Sequence, residues 1–540
     1  MKKKILLAVN VLLLAAVVIC LIRITDGSGG MFPRISSKAV DKIKKNFMVT
    51  DEDILEVLSY NGRELPCDED SGIFYLPLSM YEDAWENGRL SSGTEGVDIA
   101  FLSDVEKESK SELMKEGTRI PFYAFNGREY REYYLVITGL PVMELTTLEE
   151  APKEDGEGLY RMRLLSVSGD TLSETASDMK MHIRGNTSQN YPKKGYKCQL
   201  VKKNASGTYA GNKQSLLGYR EDDDWILYAL YNDGTKIRDK LCIDIWNAYG
   251  AENNSFKGKL GTDLTYIEVV WDGAYYGIYA LMEPIDSRQV NLSKEDGVHL
   301  TEYLYKRKQP ASLDAESFLP GTDELMRAGF EIKGRRTQAS EEDWEPLKNL
   351  IAWQEQESDE LFAEQAEQFV NMDNTVDMWI FTNLITGYDQ IAKNMYYVAK
   401  AVNGEYRFFF APWDMDLTWG YTSDPDYPLG TKYEGFLTSN YIWWQPGDRL
   451  MQTNAAGARD LAEERWKYLR TEILTDEWLE EEIESLKDMV VDSGAMARDE
   501  ERWPEGNHDR SYEELKRYVS ERMEWLDTFM GDIESGLKDW

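Results

Sequence analysis

The chain is short of cations, histidine and cysteine, and each shortage removes a class of function. Among 540 residues, 61 Lys and Arg stand against 97 Asp and Glu, a formal net charge of −36. Nucleic acid is thereby excluded as a partner, because a phosphate backbone needs a basic footprint. Beyond its first residues the chain also lacks the charge that draws a protein to anionic lipid. Its three histidines, His182, His299 and His508, are too few for a histidine-based zinc site. Of four cysteines, Cys20 falls in an apolar N-terminal run, leaving Cys67, Cys198 and Cys242. That odd set contains no CxxC pair and is open to one disulfide or to buried free thiols. Neither a G-x4-G-K-[ST] phosphate loop nor an internal repeat occurs.

Aromatic residues, by contrast, make up 12% of the chain, so it is not a disordered acidic polymer. The length allows two or three domains and a large core. The acidity reads as a solubilising surface, with recognition of cationic partners as the alternative. The N-terminus, "MKKKILLAVNVLLLAAVVICLIRI", has three lysines and then an apolar run from Ile5 to Ile22 broken by Asn10. This approaches the ~20 residues that span a bilayer as a helix and exceeds the ~7–15 of a signal-peptide core. Residues 1–25 are therefore expected to be a transmembrane signal anchor, with Lys2 to Lys4 cytoplasmic and the rest of the chain extracytoplasmic. Cleavage within "TDGSGG" is the alternative, and Ile19 argues against a lipidated Cys20. Residues 26–31 read as a flexible linker.

From 32 to 145 the chain is expected to be β-rich and sandwich-like. "ILEVLSYNGRELP", "GIFYLPL", "GVDIAFL" and "RIPFYAFNGREYREYYLVITGLPV" alternate apolar and polar residues, with Asn61-Gly62 and Asn126-Gly127 as hairpin signals. Residues 146–450 read as a mixed α+β core. It includes strands around "HIRGN", an amphipathic helix "KIRDKLCIDIWNAYG" ended by Gly250, a hairpin turning at Asp272-Gly273, and a helix "MDNTVDMWIFTNLITG". Residues 451–540 read as charged, surface-lying helices.

Two stretches carry chemistry. In "YDQIAKNMYYVAKAVNGEYRFFFAPWDMD", Asn403-Gly404 demands a two-residue hairpin loop. Counting back from a Val402–Glu405 pair sets Asn394 opposite Trp413 and beside Asp414, with Asp389 one short loop upstream. A carboxylate, an amide and a second carboxylate then converge, as phosphoryl transfer requires: one Asp accepts the hydroxyl proton, while an Asn and another Asp hold Mg²⁺ against nucleotide phosphates. Two polar caps on an ordinary hairpin are the alternative, since D-x4-N also occurs at Asp41 and Asp286. The second stretch, "MKMHIRGNTSQNYPKKGYKCQL", reads as strand, polar loop, strand. Its loop offers Gly185 amides, Thr187 and Ser188 hydroxyls, and Arg184, Lys193, Lys194 and Lys197. Such a loop can cradle phosphates. A basic hairpin tip is the alternative, although the cations are out of character in so acidic a chain.

Together with "DWILYALYNDGTKIRDKL", "VVWDGAYYGIYALMEPID", "FEIKG" and "FAPWDMDLTWG", these stretches resemble the CotH (spore coat protein H) kinase family from roughly Pro141 to Met530. The resemblance implies an α+β fold with an atypical protein-kinase-like core. It implies Ser/Thr phosphorylation of protein substrates using ATP and Mg²⁺ or Mn²⁺. By it, Asp389 looks like the catalytic aspartate, and Asn394, Asp414 and Asp416 like metal ligands. Lys194 looks like the nucleotide-phosphate lysine, chosen over Lys193 and Lys197, with Arg184, Ser188 and Glu283 as further nucleotide-site residues. Asp414-Met415-Asp416 stands where kinases have DFG, and no His-Arg precedes Asp389. The anchor and β-rich region lie outside the family's core and point to the cell envelope, with envelope or spore-coat proteins as acceptors. Two rival readings are a non-catalytic surface adhesin or structural envelope protein, and a phosphotransferase acting on a glycan. The aromatics of "YIWWQPGD" would stack on sugars in the latter, unless they pack as core or lid.

Overall fold

The computed structural model describes residues 31–79, 88–102, 110–114, 118–150, 156–168, 171–295, 299–308, 326–334, 339–423, 431–432 and 437–538. The expected membrane anchor and its linker lie almost wholly outside these residues, and among them no helix is long and apolar enough to cross a membrane. The chain divides into two compact units. One takes in residues up to Leu230, Thr265–Leu281 and Asp488–Glu505; the other comprises Tyr231–Leu264, Met282–Lys487 and Gly506–Trp540.

The first unit begins with the expected β-rich part. Seven strands form one sheet that includes Ile73–Pro77, Asp98–Leu102, Ile120–Phe125 and Glu129–Thr138. It shares a core with a three-stranded sheet built around Leu58–Tyr60. The Asn61-Gly62 turn has both residues at positive φ, 52° and 78°, as a two-residue hairpin loop demands. Two features depart from a plain sandwich. Glu129–Thr138 runs parallel to Ile73–Pro77, and a helix, Ser37–Asn46, buries Val40 and Ile43 against Ala100, Tyr123 and Phe125. The helix hides in the sequence because lysines surround its narrow apolar stripe.

An eight-stranded sheet follows, in the order Thr171–Arg184, Gly158–Ser168, Val142–Glu149, Leu264–Trp271, Ala274–Met282, Asp224–Tyr228, Gly195–Lys203, Tyr209–Gly211. Thr171–Arg184 also pairs with Gly195–Lys203, from Asp178↔Val201 to Arg184↔Gly195. Seven of the strands therefore close into a barrel, which removes their exposed edges. The helix Ala495–Arg502 is tied to these strands by two buried ion pairs. Arg498 grips Glu268 with two bonds of 2.8 Å, and Asp499 takes Lys193 at 2.6 Å.

The second unit holds a five-stranded antiparallel sheet, ordered Met326–Arg327, Phe330–Lys333, Tyr303–Arg307, Met395–Val402, Glu405–Pro412. The helix Met372–Leu384 lies on its last strand, where the Asn374 amide bonds both ways with the backbone of Phe410. The helix Arg238–Tyr249 ends at Gly250 as expected and leaves Lys240, Asp244, Asn247 and Ala248 on a more exposed face, but it also buries the charged Arg238 and Asp239. Arg238 and Asp239 are inside because they have partners there, Asp233 and the Met415 N–H. The helices Ala458–Glu472, Asp476–Val491 and Tyr512–Met530 fall where charged helices are expected. The last of them buries Arg522, whose guanidinium bonds go to the carbonyls of Asn383, Thr438 and Asn440. Cys67, Cys198 and Cys242 are free thiols, the last two buried.

Candidate active site

The hairpin register is the one the Asn403-Gly404 turn dictates. Val402 pairs with Glu405 and Met395 with Pro412, and Trp413 N–H donates to the Asn394 carbonyl at 3.1 Å. Asn394 thus lies opposite Trp413, with Asp414 next along the chain where the hairpin opens. Asn394 and Asp414 both have positive φ, 57° and 59°, as do nearby Thr386 (50°) and Trp419 (56°). Non-glycine residues pay for this conformation, and it persists where the surroundings over-determine it, commonly at functional sites.

Asp389 sits in the short helix Tyr388–Ala392, just upstream of the hairpin. The Asn394 amide donates to Asp389 Oδ2 at 2.8 Å and, more weakly, to the Asp414 carbonyl at 3.4 Å. Gln390, fully buried, donates to the carbonyls of Trp413 and Asp414, both at 3.1 Å. Arg307 donates to the Ile391 carbonyl. The short helix is thereby locked to the hairpin mouth, and the five-residue offset between Asp389 and Asn394 becomes a direct contact. Lys393, one helical turn from Asp389, forms an ion pair with it at 3.0 Å.

Electrostatics at this mouth are those of crowded carboxylates. Burial pushes the Asp389 carboxyl above its ordinary range; Lys393 opposes this and the charge of Asp414 adds to it. Asp416 is raised much further by burial and by the neighbouring charges of Asp414 and Asp239, against the opposing bond from Asn232. Burial works against the Lys393 ammonium, but Asp389, Asp414 and Asp416 outweigh it and its pKa rises. A divalent cation would relieve this like-charge repulsion. The donors present, two carboxylates and the oxygen of an amide whose nitrogen is already engaged, are the hard oxygens that Mg²⁺ takes. Among the described residues no three His, Cys, Asp or Glu side chains form a metal cage on their own.

The basic loop belongs to the first unit. Arg184 ends its strand, Thr187–Asn190 forms a single 3₁₀ turn, and Gly195 opens the next strand. Gly185 has φ 114°, and a Cβ there would lie 2.0 Å from Ser188 Oγ, so the loop requires glycine. The three lysines have different fates. Lys193 is buried, donates to Asp499 and to the Ile278 carbonyl, and lies 4.8 Å from the Tyr279 ring centre. Lys194 stays at the loop, its ammonium on the Gln189 carbonyl at 2.7 Å. Lys197 is exposed, 3.8 Å from Asp224. Glu283, in the second unit with Asp389, Asn394, Asp414 and Asp416, is buried, and its carbonyl accepts from Thr262.

Several residues around the mouth escaped sequence reasoning. Lys393 had a signal, its i,i+4 spacing from Asp389. Gln390 had none. Asn232 and Asp239 lie in "YNDGTKIRDKL", and nothing in that stretch points to a partner nearly two hundred residues away. Of "YIWWQPGD", Tyr441, Ile442 and Trp444 are buried in the core, while Trp443 is 39% exposed. Compared with known families, residues 181–526 match the family model described as CotH kinase protein, well over half of the chain. No curated protein matches it.

Proposed function

We propose a function from one premise: the chain belongs to the CotH kinase family, and that family implies a kinase-type phosphotransferase. In our reading the enzyme has the atypical protein-kinase-like core expected of its relatives. It moves the γ-phosphate of ATP to Ser or Thr hydroxyls of cell-envelope or spore-coat proteins, and residues 1–25 anchor it with the catalytic part outside the membrane. The observation that carries the catalytic reading is the 2.8 Å contact between Asn394 and Asp389 at the hairpin mouth, with Asp414 alongside. An adhesin has no need of such a constellation.

In this reading Asp389 orients the acceptor hydroxyl and takes its proton as the oxygen bonds to the γ-phosphorus and the bond to ADP breaks. The Asn394 N–H and the Lys393 ammonium both engage Asp389 Oδ2. This fixes the carboxylate's rotation and favours its ionised form. Asn394, Asp414 and Asp416 are the residues that would hold Mg²⁺ or Mn²⁺, which when bound neutralises charge on the nucleotide phosphates. In this reading Lys194, Arg184 and Ser188, around the Gly185 turn of the first unit, are nucleotide-binding residues, as is Glu283 of the second.

The test is transfer of label from γ-labelled ATP by the purified full chain with Mg²⁺ or Mn²⁺, to itself or to an envelope extract. Labelled Ser or Thr is expected, and Asp389→Asn should remove it. Absence of any label with either metal would sink the kinase reading. For the anchor, protease added to intact protoplasts should degrade everything beyond residue 31; a protected chain would overturn that placement.

A further inference from the structure

The segment Asp414–Asp416 belongs to no strand or helix, since the strand before it ends at Pro412. Its peptide groups therefore need partners from elsewhere. The Asp414 carbonyl has Gln390 and Asn394. The next peptide N–H, of buried Met415, donates to Asp239 Oδ1 at 2.7 Å. One residue further, the Asn232 amide donates to Asp416 Oδ2 at 3.1 Å. Asp239 and Asn232 both come from one short stretch, Tyr231 to Asp239, in the same unit as the hairpin.

That stretch is itself held firmly. Asp233 accepts from the backbone and hydroxyl of Thr235 and from Arg238. The Arg238 guanidinium lies 4.0 Å from the Tyr421 ring centre, and the Asn232 carbonyl accepts from Asn507 at 2.9 Å. A Cβ on Gly234 would lie 2.6 Å from the backbone of Asp509. A rigid turn thus presents one acceptor and one donor to a segment whose first residue is in the left-handed region.

We propose that Asn232 and Asp239 are positioning residues for the metal-binding segment. Asp239 fixes the Met415 peptide and so holds Asp414 in its left-handed conformation, while Asn232 fixes the rotation of Asp416. The role rests on the kinase reading of the hairpin mouth but assigns function to residues outside it. Groups that orient metal ligands typically change affinity by ~10–100-fold when removed.

The experiment measures Mn²⁺ affinity of the full chain, alone and with ATP, from the magnetic resonance signal of free Mn²⁺, alongside the melting temperature. Wild type is compared with Asp414→Ala, Asn232→Ala, Asp239→Ala and Asp239→Asn. Asn232→Ala and Asp239→Ala should each weaken Mn²⁺ binding by ~10–100-fold. Asp239→Asn, which keeps an acceptor for the Met415 N–H, should restore it to within about threefold. A role in folding alone would lower the melting temperature of Asp239→Ala without this rescue in affinity. If Asp239→Ala does not fold, Asn232→Ala, at a half-buried side chain, decides. The proposal is overturned by itself if Asp414→Ala loses Mn²⁺ while Asn232→Ala binds as wild type, or if Asp239→Asn loses as much as Asp239→Ala. It falls together with the kinase reading if Asp414→Ala binds Mn²⁺ as wild type does.

Discussion

The basic loop from Arg184 to Gly195 and the acidic mouth from Asp389 to Asp416 manage charge differently. In the loop, adjacent lysines are separated: Lys193 is drawn inside to Asp499, and Lys194 is left at the surface on a carbonyl. One ammonium is committed to a buried ion pair and the other stays at the loop on a carbonyl. At the mouth nothing is neutralised so fully. Lys393 pairs with Asp389, but burial and the neighbouring charges of Asp414 and Asp239 still push the Asp416 carboxyl far above its ordinary range. A buried pair is a finished interaction; a cluster of half-buried like charges is an unfinished one, and it is the unfinished one that a cation or substrate completes.

The largest test of this contrast is chemical. Asp389→Asn keeps shape and hydrogen bonds but loses basicity, so phosphate transfer should fall by ~10²–10⁴-fold while calorimetry still shows nucleotide binding. Asp414→Ala should instead lose metal-dependent nucleotide affinity together with turnover. Neither should unfold the protein. If both variants bind and transfer like wild type, the mouth is not the active site.

Next comes the finished pair. Lys193→Ala leaves Asp499 buried without its ammonium, and such a break typically costs ~3–5 kcal/mol. A lower denaturation midpoint of the first unit should report it, with little change for Lys194→Ala. Equal stability of the two variants would erase the distinction between the lysines.

Asp448 supplies a carboxyl in the acidic mouth's unit that burial alone has raised. Its pKa is pushed up to about 7, with Tyr441 and Trp379 donating to it. Because the folded value lies above the unfolded one, the group's contribution to stability is full below about pH 4. It is lost as pH rises through about 7. Urea midpoints should therefore fall over that interval with a slope of at most ~1.4 kcal/mol per pH unit from this group. Asp448→Asn should flatten the slope; an unchanged pH profile would show that Asp448 is already ionised in the folded state.

The smallest expected effect is at the loop surface. Lys194→Ala should weaken nucleotide binding by about tenfold, the scale of one charge-assisted bond, without moving the melting temperature. Unchanged affinity in a folded variant would count against the phosphate cradle.

Much of the mouth was legible in the sequence because it is local. Asn403 and Gly404 permit positive φ at both loop positions, that turn sets the strand register, and the register alone brings Asn394 against Trp413 and Asp414. The hairpins at Asn61-Gly62 and Asp272-Gly273 were legible for the same reason. The Asn126-Gly127 signal likewise marks an antiparallel hairpin, Ile120–Phe125 with Glu129–Thr138, whose turn the Asn126 side chain holds by accepting from the Arg128 and Glu129 amides.

Other features were decided only by tertiary contact. Nothing in "PKKG" says which lysine turns inward; Asp499, 306 residues away, decides it, since a buried ammonium needs a buried carboxylate. Nothing in "KIRDKLCIDIWNAYG" says that Arg238 and Asp239 are buried, because their partners Asp233 and Met415 lie outside the helix. The sequence by itself determined the hairpin, its turn and the meeting of Asn394 with Asp414, since backbone sterics act between neighbours, while Gln390 and Arg307 lock Asp389 to that mouth. Tertiary structure decided the closure of the barrel, the division of labour between Lys193 and Lys194, and the hold of Asn232 and Asp239 on the acidic segment. Each of these joins groups far apart in the chain, and their energies exist only once the chain has folded.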